Sequence, residues 1–266
     1  MKNKFLITMS RTSNHLEKRI AENLKGQQIN FIDWIFKRLK IKKSSNILEL
    51  CCGTGSQTME LLKLVGKDGR VFALDVSKDA LEKLVKIVPH QLKGRIITIE
   101  SKMENFSKSL KAIKIEPPAF DLIFCSYGLY YSEHPEETLN ETLILLKRDG
   151  KMAIIGPYRS NNGPLFDLLE EADVKIDPFI TYTSRDFMEL VVIPWSIGNF
   201  KKVNIHTVVN HVIWSNPENI ITYWKNSTFY DDEKLSRVEK KISEYFQHNL
   251  TFENEKWIMM VEMSND

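Results

Sequence analysis

Apolar and polar positions along this chain follow two periods, and the two alternate in a regular order. Asn46–Leu50 is a short apolar run and reads as a strand; Ser56–Val65 places Met59, Leu62 and Val65 on one helical face. Val71–Asp75 is a second strand. Ser77 then caps a helix through Val88, with Ala80, Leu81, Leu84 and Val88 at helical spacing. Arg95–Glu100 is β-branched and reads as a third strand, and Phe120–Ser126 is almost continuously apolar, as the middle of a parallel sheet requires. Pro135 with Glu136 and Glu137 opens a further helix carrying Leu139, Leu143 and Leu146. Gly150 is expected to end it, before a fifth strand at Met152–Ile155. Alternation of this kind predicts an α/β fold in which a mostly parallel sheet carries helices on both faces.

Beyond Pro157 the alternation stops. Tyr158–Thr183 is rich in aromatics and holds one short helical pattern, Pro164–Ala172. Ser184–Val192 reads as a sheet-covering helix, Lys201–Trp214 as a long strand, Pro217–Trp224 and Asp232–Phe246 as helices, and Lys256–Met263 as a last strand. Helices separate the final two strands without forming a simple strand–helix–strand unit, so the expectation is seven strands with the last one antiparallel. The segments 158–183 and 215–250 are read as a helical lid insertion, inside a single domain spanning 1–266. Residues 1–45 form its N-terminal helical segment, 46–157 its core and 251–266 its final strand.

Composition agrees with one large globular domain. Of 266 residues, 42% are hydrophobic and 27% charged, and no internal repeat or low-complexity tract interrupts them. No apolar run approaches the roughly 18 residues of a membrane helix, and the N-terminal FLITM is too short for a signal sequence. Cys51 and Cys52 are adjacent, and Cys125 sits in an apolar strand, so buried thiols in the cytoplasm are expected. The net charge of +2 is uneven: through Asn46, eleven Lys and Arg face only Glu17, Glu22 and Asp33. The basic side chains are interspersed, which favours a solvated face over a nucleic-acid surface. His15, His206 and His211 show no metal spacing, and no metal site is expected.

The chemistry concentrates in ILELCCGTG, Ile47 to Gly55. An apolar strand carries an acid, Glu49, and passes into a turn bearing Gly53 and Gly55, with a helix following at once. Backbone N–H groups and a carboxylate are thereby delivered to one point, the arrangement of a nucleotide site. Asp75 lies twenty residues past Gly55, the distance needed to return along a helix and a second strand, and its carboxylate can accept from two vicinal hydroxyls. A nicotinamide-dinucleotide site would want a third glycine at Thr58 and is disfavoured.

Four segments in this order, ILELCCGTG, VFALDVS, FDLIFCSYGLYY and LKRDGKMAIIGP, resemble the motifs of class I S-adenosylmethionine (AdoMet)-dependent methyltransferases. The closer likeness is to the small-molecule branch that includes the quinone C-methyltransferases. The resemblance implies a Rossmann-like fold, AdoMet as cofactor with S-adenosylhomocysteine as product, and a small organic acceptor methylated on O, N or C. It implies cofactor contacts from Glu49, Cys51, Gly53, Thr54, Gly55, Asp75, Val76, Met103, Glu104 and Ser126, with Val76 under the adenine. Two departures stand out. Cys51 replaces the family's first loop glycine and is expected to avoid positive φ, and Lys102 falls where an acid commonly reads the adenine amino group.

Candidate acceptor-side residues are Tyr130 and Tyr131 after the fourth strand, His134 as a proton acceptor, Arg159 for an anionic group, and the aromatic Phe166, Phe179 and Tyr182. Two other readings remain: an RNA-modifying methyltransferase that uses the basic N-terminal segment, and an AdoMet-binding protein without catalysis.

Overall fold

The computed structural model describes residues 13–265. The FLITM run and the basic residues Lys2, Lys4 and Arg11 lie outside the described residues. Seven strands, β1 (Asn46–Leu50), β2 (Arg70–Asp75), β3 (Ile96–Glu100), β4 (Phe120–Ser126), β5 (Leu146–Pro157), β6 (Lys202–Trp214) and β7 (Phe252–Ser264), form one sheet in the order β3-β2-β1-β4-β5-β7-β6. β1 pairs in parallel with β2 and β4, β2 with β3, and β4 with β5; the last strands are antiparallel, as the sequence pattern predicts. The order reverses at β1, so the crevice beyond the carboxyl ends of β1 and β4 is where an open sheet of this kind takes a ligand.

The chain divides into two compact units. The core unit comprises Phe31–Gly156, Met188–His206 and residues 259–265; the second comprises residues 13–30, Pro157–Phe187 and Thr207–Ile258. In the core unit, Ile47, Leu48, Val71, Ala73 and Phe124 are fully buried, because parallel strands are covered on both faces. Two helices follow the strands as the pattern requires: α3 (Ser56–Leu64), after α1 (Ser13–Gly26) and α2 (Phe31–Phe36), and α4 (Lys78–Ile87). The Ser77 side chain accepts from the Ala80 N–H at 3.2 Å and so supplies the expected cap of α4. In the second unit, Leu165, Phe166, Trp214, Ile220, Trp224, Val238 and Ile242 form a separate apolar core, and Phe166 meets Phe229 edge-on at 5.2 Å.

Three boundaries differ from the sequence reading. The helix opened by Pro135 ends at Leu145, not at Gly150. Phe120 pairs with Leu146 and Leu122 with Lys151, so residues 147–150 bulge from β5 and Gly150 lies inside the strand. Lys147 reaches Asp121 from that bulge at 2.9 Å. Ser184–Val192 is not a regular helix. Two π-helical turns, Tyr182–Asp186 and Met188–Val192, lie between helices at Pro178–Thr181 and Ile193–Asn199. Wide turns of this kind disturb the 3.6-residue period on which the reading relied. β7 begins at Phe252, four residues before the apolar alternation becomes evident.

Candidate cofactor site

At the carboxyl end of β1 the backbone turns sharply. Cys51, Gly53 and Gly55 all have positive φ, at 58°, 55° and 93°. The Cys51 conformation contradicts the expectation from its side chain. A left-handed cysteine costs roughly 1–2 kcal/mol, and Gly128, after β4, is what makes room for it. A Cβ on Gly128 would lie 2.3 Å from the Cys51 Cβ and 2.6 Å from its Sγ. The turn is held by Cys52 N–H donating to Leu74 O at 3.0 Å, Gly53 N–H to Asp75 Oδ2 at 2.8 Å, and Gly55 N–H to Cys52 O at 3.1 Å. Gly55 opens α3 with no side-chain cap, and a Cβ there would lie 2.3 Å from Leu84 Cδ1. The first N–H groups of α3 therefore meet no capping side chain, leaving a site for anionic or carbonyl oxygens.

Two acids frame this turn. Glu49 is 2% exposed, and burial, with a smaller contribution from Asp75, pushes its carboxyl up to about 8. Thr58, fully buried, offsets part of that rise, yet neither its Oγ1 nor Glu49 Oε2 completes a hydrogen bond. The residue that is too large for a dinucleotide motif is thus packed against the acid. Asp75 is half-buried, and its two oxygens accept from Gly53 N–H at 2.8 Å and Ser77 N–H at 2.9 Å. Burial raises its pKa, and the backbone donors Ser77, Gly53 and Val76 oppose that rise. A carboxylate has about four acceptor positions, so each Asp75 oxygen keeps capacity for a hydroxyl. Val76 beside it is 38% exposed, a small apolar surface.

The remaining predicted residues divide by unit. Ser126 Oγ at the end of β4 is buried without a hydrogen-bond partner. Met103 is buried, with its sulfur 3.4 Å from Cys51 Sγ, while Lys102 is exposed. Glu104 has its carboxylate engaged by Ser132 Oγ at 3.2 Å and Glu133 N–H at 3.0 Å, so it anchors the chain before the following helix. Tyr130 and Tyr131 are half-buried with rings 4.7 Å apart, and His134 is exposed at that helix's start. Arg159, Phe166, Phe179 and Tyr182 belong to the second unit, where Phe166 is core and Phe179 packs against that core. Sequence reasoning overlooked Gly128, Phe31 and Tyr127. Tyr127 takes φ 55°, and Phe31 of α2 meets its ring edge-on at 5.7 Å. A glycine required by a partner on another strand, or a helix residue that packs there, leaves no local signal.

Orphaned polar atoms test the fit to AdoMet. The buried Glu49 Oε2 lacks a donor and Asp75 has spare acceptor capacity; the turn and the uncapped α3 offer backbone N–H groups. This donor and acceptor set fits a ligand bearing an ammonium, a carboxylate and a ribose. Residues 41–224 match the methyltransferase-domain family. A demethylmenaquinone methyltransferase of Lactobacillus johnsonii is 29% identical over 58% of this chain and 60% of its own. A 2-phytyl-1,4-naphthoquinone methyltransferase of Trichormus variabilis is 28% identical over 52% and 57%. The chain thus spans about three-fifths of the length of these curated relatives. The YcgJ protein of Bacillus subtilis shares the fold at a TM-score of 0.56 and 13% identity, with 88% of this chain and 98% of that one covered. With the family match extending over more than half of its residues, this chain belongs to the methyltransferase-domain family.

Proposed function

We propose that this chain is an AdoMet-dependent methyltransferase acting on a small organic acceptor of the quinone-like, planar aromatic class. The observation that carries the reading is the buried carboxyl of Glu49, whose Oε2 has no hydrogen-bond partner, beside a positive-φ turn and one strand away from Asp75. Glu49 would hold the cofactor's ammonium, the turn and the start of α3 its carboxylate, Asp75 the ribose hydroxyls, and Val76 and Met103 the adenine. When bound, AdoMet supplies a methyl group already activated by the sulfonium charge. Positioning and water exclusion then remain as the protein's tasks.

Tyr130, Tyr131 and Ser126 at the end of β4 are assigned to orient the acceptor and the methionine portion, and exposed His134 to receive an acceptor proton. For Phe166 and Phe179, packing within the second unit is the role that the burial supports. The quinone-type acceptor is drawn from the relatives' names. Three thiols outside any disulfide suit a reducing cytoplasm, the compartment proposed. Among the described residues, no helix is long and apolar enough to cross a membrane.

Calorimetry with AdoMet and S-adenosylhomocysteine tests the cofactor assignment: micromolar binding is expected, and no binding of either at millimolar ligand overturns it. A demethylated naphthoquinol, assayed with labelled AdoMet, tests the acceptor. Turnover of RNA substrates only, with steep salt dependence, would replace the small-molecule reading. Cofactor binding without turnover across an acceptor panel would leave a non-catalytic binder.

A further inference from the structure

The second unit contains a buried cationic cluster that methyl transfer does not use. Lys256 of β7 is 8% exposed, and its Nζ donates to Asn162 Oδ1 at 2.5 Å and to the Tyr223 hydroxyl at 2.7 Å. The same ammonium lies 4.1 Å from the centroid of the Tyr223 ring. Asn254, fully buried, donates to the same Asn162 oxygen at 3.0 Å, and its own Oδ1 has no partner. Asn162 holds φ 59° at the start of the Gly163–Glu171 helix, and its N–H donates to Glu255 O at 2.8 Å, so its side chain is fixed from β7.

Arg19 of α1 adds a second positive charge that acts on both Lys256 and Tyr223, and its Nε is buried without a hydrogen-bond partner. No carboxylate among the described residues pairs with Lys256 or Arg19. Glu22, one turn along α1, is already engaged by Lys25 at 2.6 Å and by Asn219 Nδ2 at 2.8 Å.

A desolvated cation with only neutral partners is strongly unfavourable, and an unused donor beside it adds to the cost. Among the described residues the arrangement lacks one component, a carboxylate oxygen. Lys256 has a third N–H, Arg19 has Nε, and Tyr223, which accepts from Lys256, still has its own proton to donate. Trp214 packs its ring 5.3 Å from that of Tyr223, and Arg19 is half-buried. We propose that Lys256, Arg19 and Tyr223 form a binding site for a small carboxylate, with Asn254 Oδ1 accepting from a hydroxyl or water on the ligand. Burial draws the Lys256 pKa down, and an arriving anion would reverse that. The site is built from second-unit residues alone, so it stands or falls independently of AdoMet binding at Glu49.

The test is thermal unfolding of the full chain at pH 7.5 and constant ionic strength, with acetate, benzoate or inorganic phosphate replacing chloride. Acetate or benzoate at tenfold over its dissociation constant is expected to raise the midpoint by about 3–5 °C. Lys256→Met should abolish the shift. Should that variant fail to fold, Arg19→Gln, at a half-exposed position, should weaken carboxylate binding about tenfold while the chloride midpoint stays near wild type. Equal shifts in wild type and Arg19→Gln, or no shift with acetate or benzoate, would overturn the proposal. A shift with phosphate alone would overturn the carboxylate assignment in favour of a phosphate site.

Discussion

The Glu49 carboxyl sets a measurable pH dependence on cofactor binding. Its pKa of about 8 in the free protein means that the group is largely protonated at neutral pH. A neutral carboxyl attracts an ammonium poorly, so binding must first remove that proton. Each pH unit below 8 then costs about 1.4 kcal/mol, or tenfold in affinity. The ligand's own α-ammonium, with an ordinary pKa of about 8, loses charge only toward the upper end of the range. Together the two titrations predict that S-adenosylhomocysteine affinity rises roughly twentyfold between pH 6 and 7.5, levels near pH 8 and falls above it. Calorimetry at pH 7 in two buffers of different ionisation enthalpy should show about 0.8 proton released per ligand bound, the Glu49 proton less the small uptake by the ligand's amine. Glu49→Gln should bind more weakly at pH 7.5, with no pH slope between 6 and 7.5. A flat wild-type profile, or the same slope in Glu49→Gln, would refute the assignment of this carboxyl to the ammonium.

The same group makes the free protein sensitive to pH. Between about 4.5 and 8 the folded chain retains a Glu49 proton that the unfolded chain has released, so stability is present at the acid end and is lost as pH rises. The slope should approach 1.4 kcal/mol per unit, and denaturant titrations of wild type and Glu49→Gln that stay parallel across pH 5–8 would contradict it. Asp75→Ala should weaken S-adenosylhomocysteine binding by about 1.5–3 kcal/mol, the scale of charge-assisted hydrogen bonds, and an unchanged dissociation constant would remove Asp75 from the site. Gly128→Ala should destabilise the fold and displace the turn, because its Cβ would collide with Cys51. A melting midpoint and cofactor affinity equal to wild type would show that the turn yields freely.

The elements best read from the sequence are those whose cause is local. Val71–Asp75 and Phe120–Ser126 are strands because each is an apolar run of sheet length bounded by turn residues, and both appear within one residue of their expected limits. The Ser77 cap is a side chain bonding three residues ahead, so its geometry follows from chain order alone. Glu49, Gly53, Gly55 and Asp75 were legible for a similar reason: a strand end, a turn and a return strand fix their spacing before any packing occurs.

Where two distant segments decide a conformation, the sequence reading fails. Cys51 adopts a left-handed backbone because Gly128, 77 residues away, vacates the space that its side chain needs. Gly150 looks like a helix end, yet the pairing of β5 with β4 draws the preceding residues into a bulged strand. Lys256 reads as one more charged residue in a β-strand pattern, and only the convergence of Asn162, Tyr223 and Arg19 makes it a buried amine with no carboxylate paired to it among the described residues. The succession of strands and helices and the acids at the strand ends follow from chain order, because periodicity and turn chemistry act over a few residues. Backbone signs, the burial that raises the Glu49 pKa and the pairing of polar atoms come from segments packed together. Burial and close approach are properties of segments brought together, and no short stretch of chain encodes them.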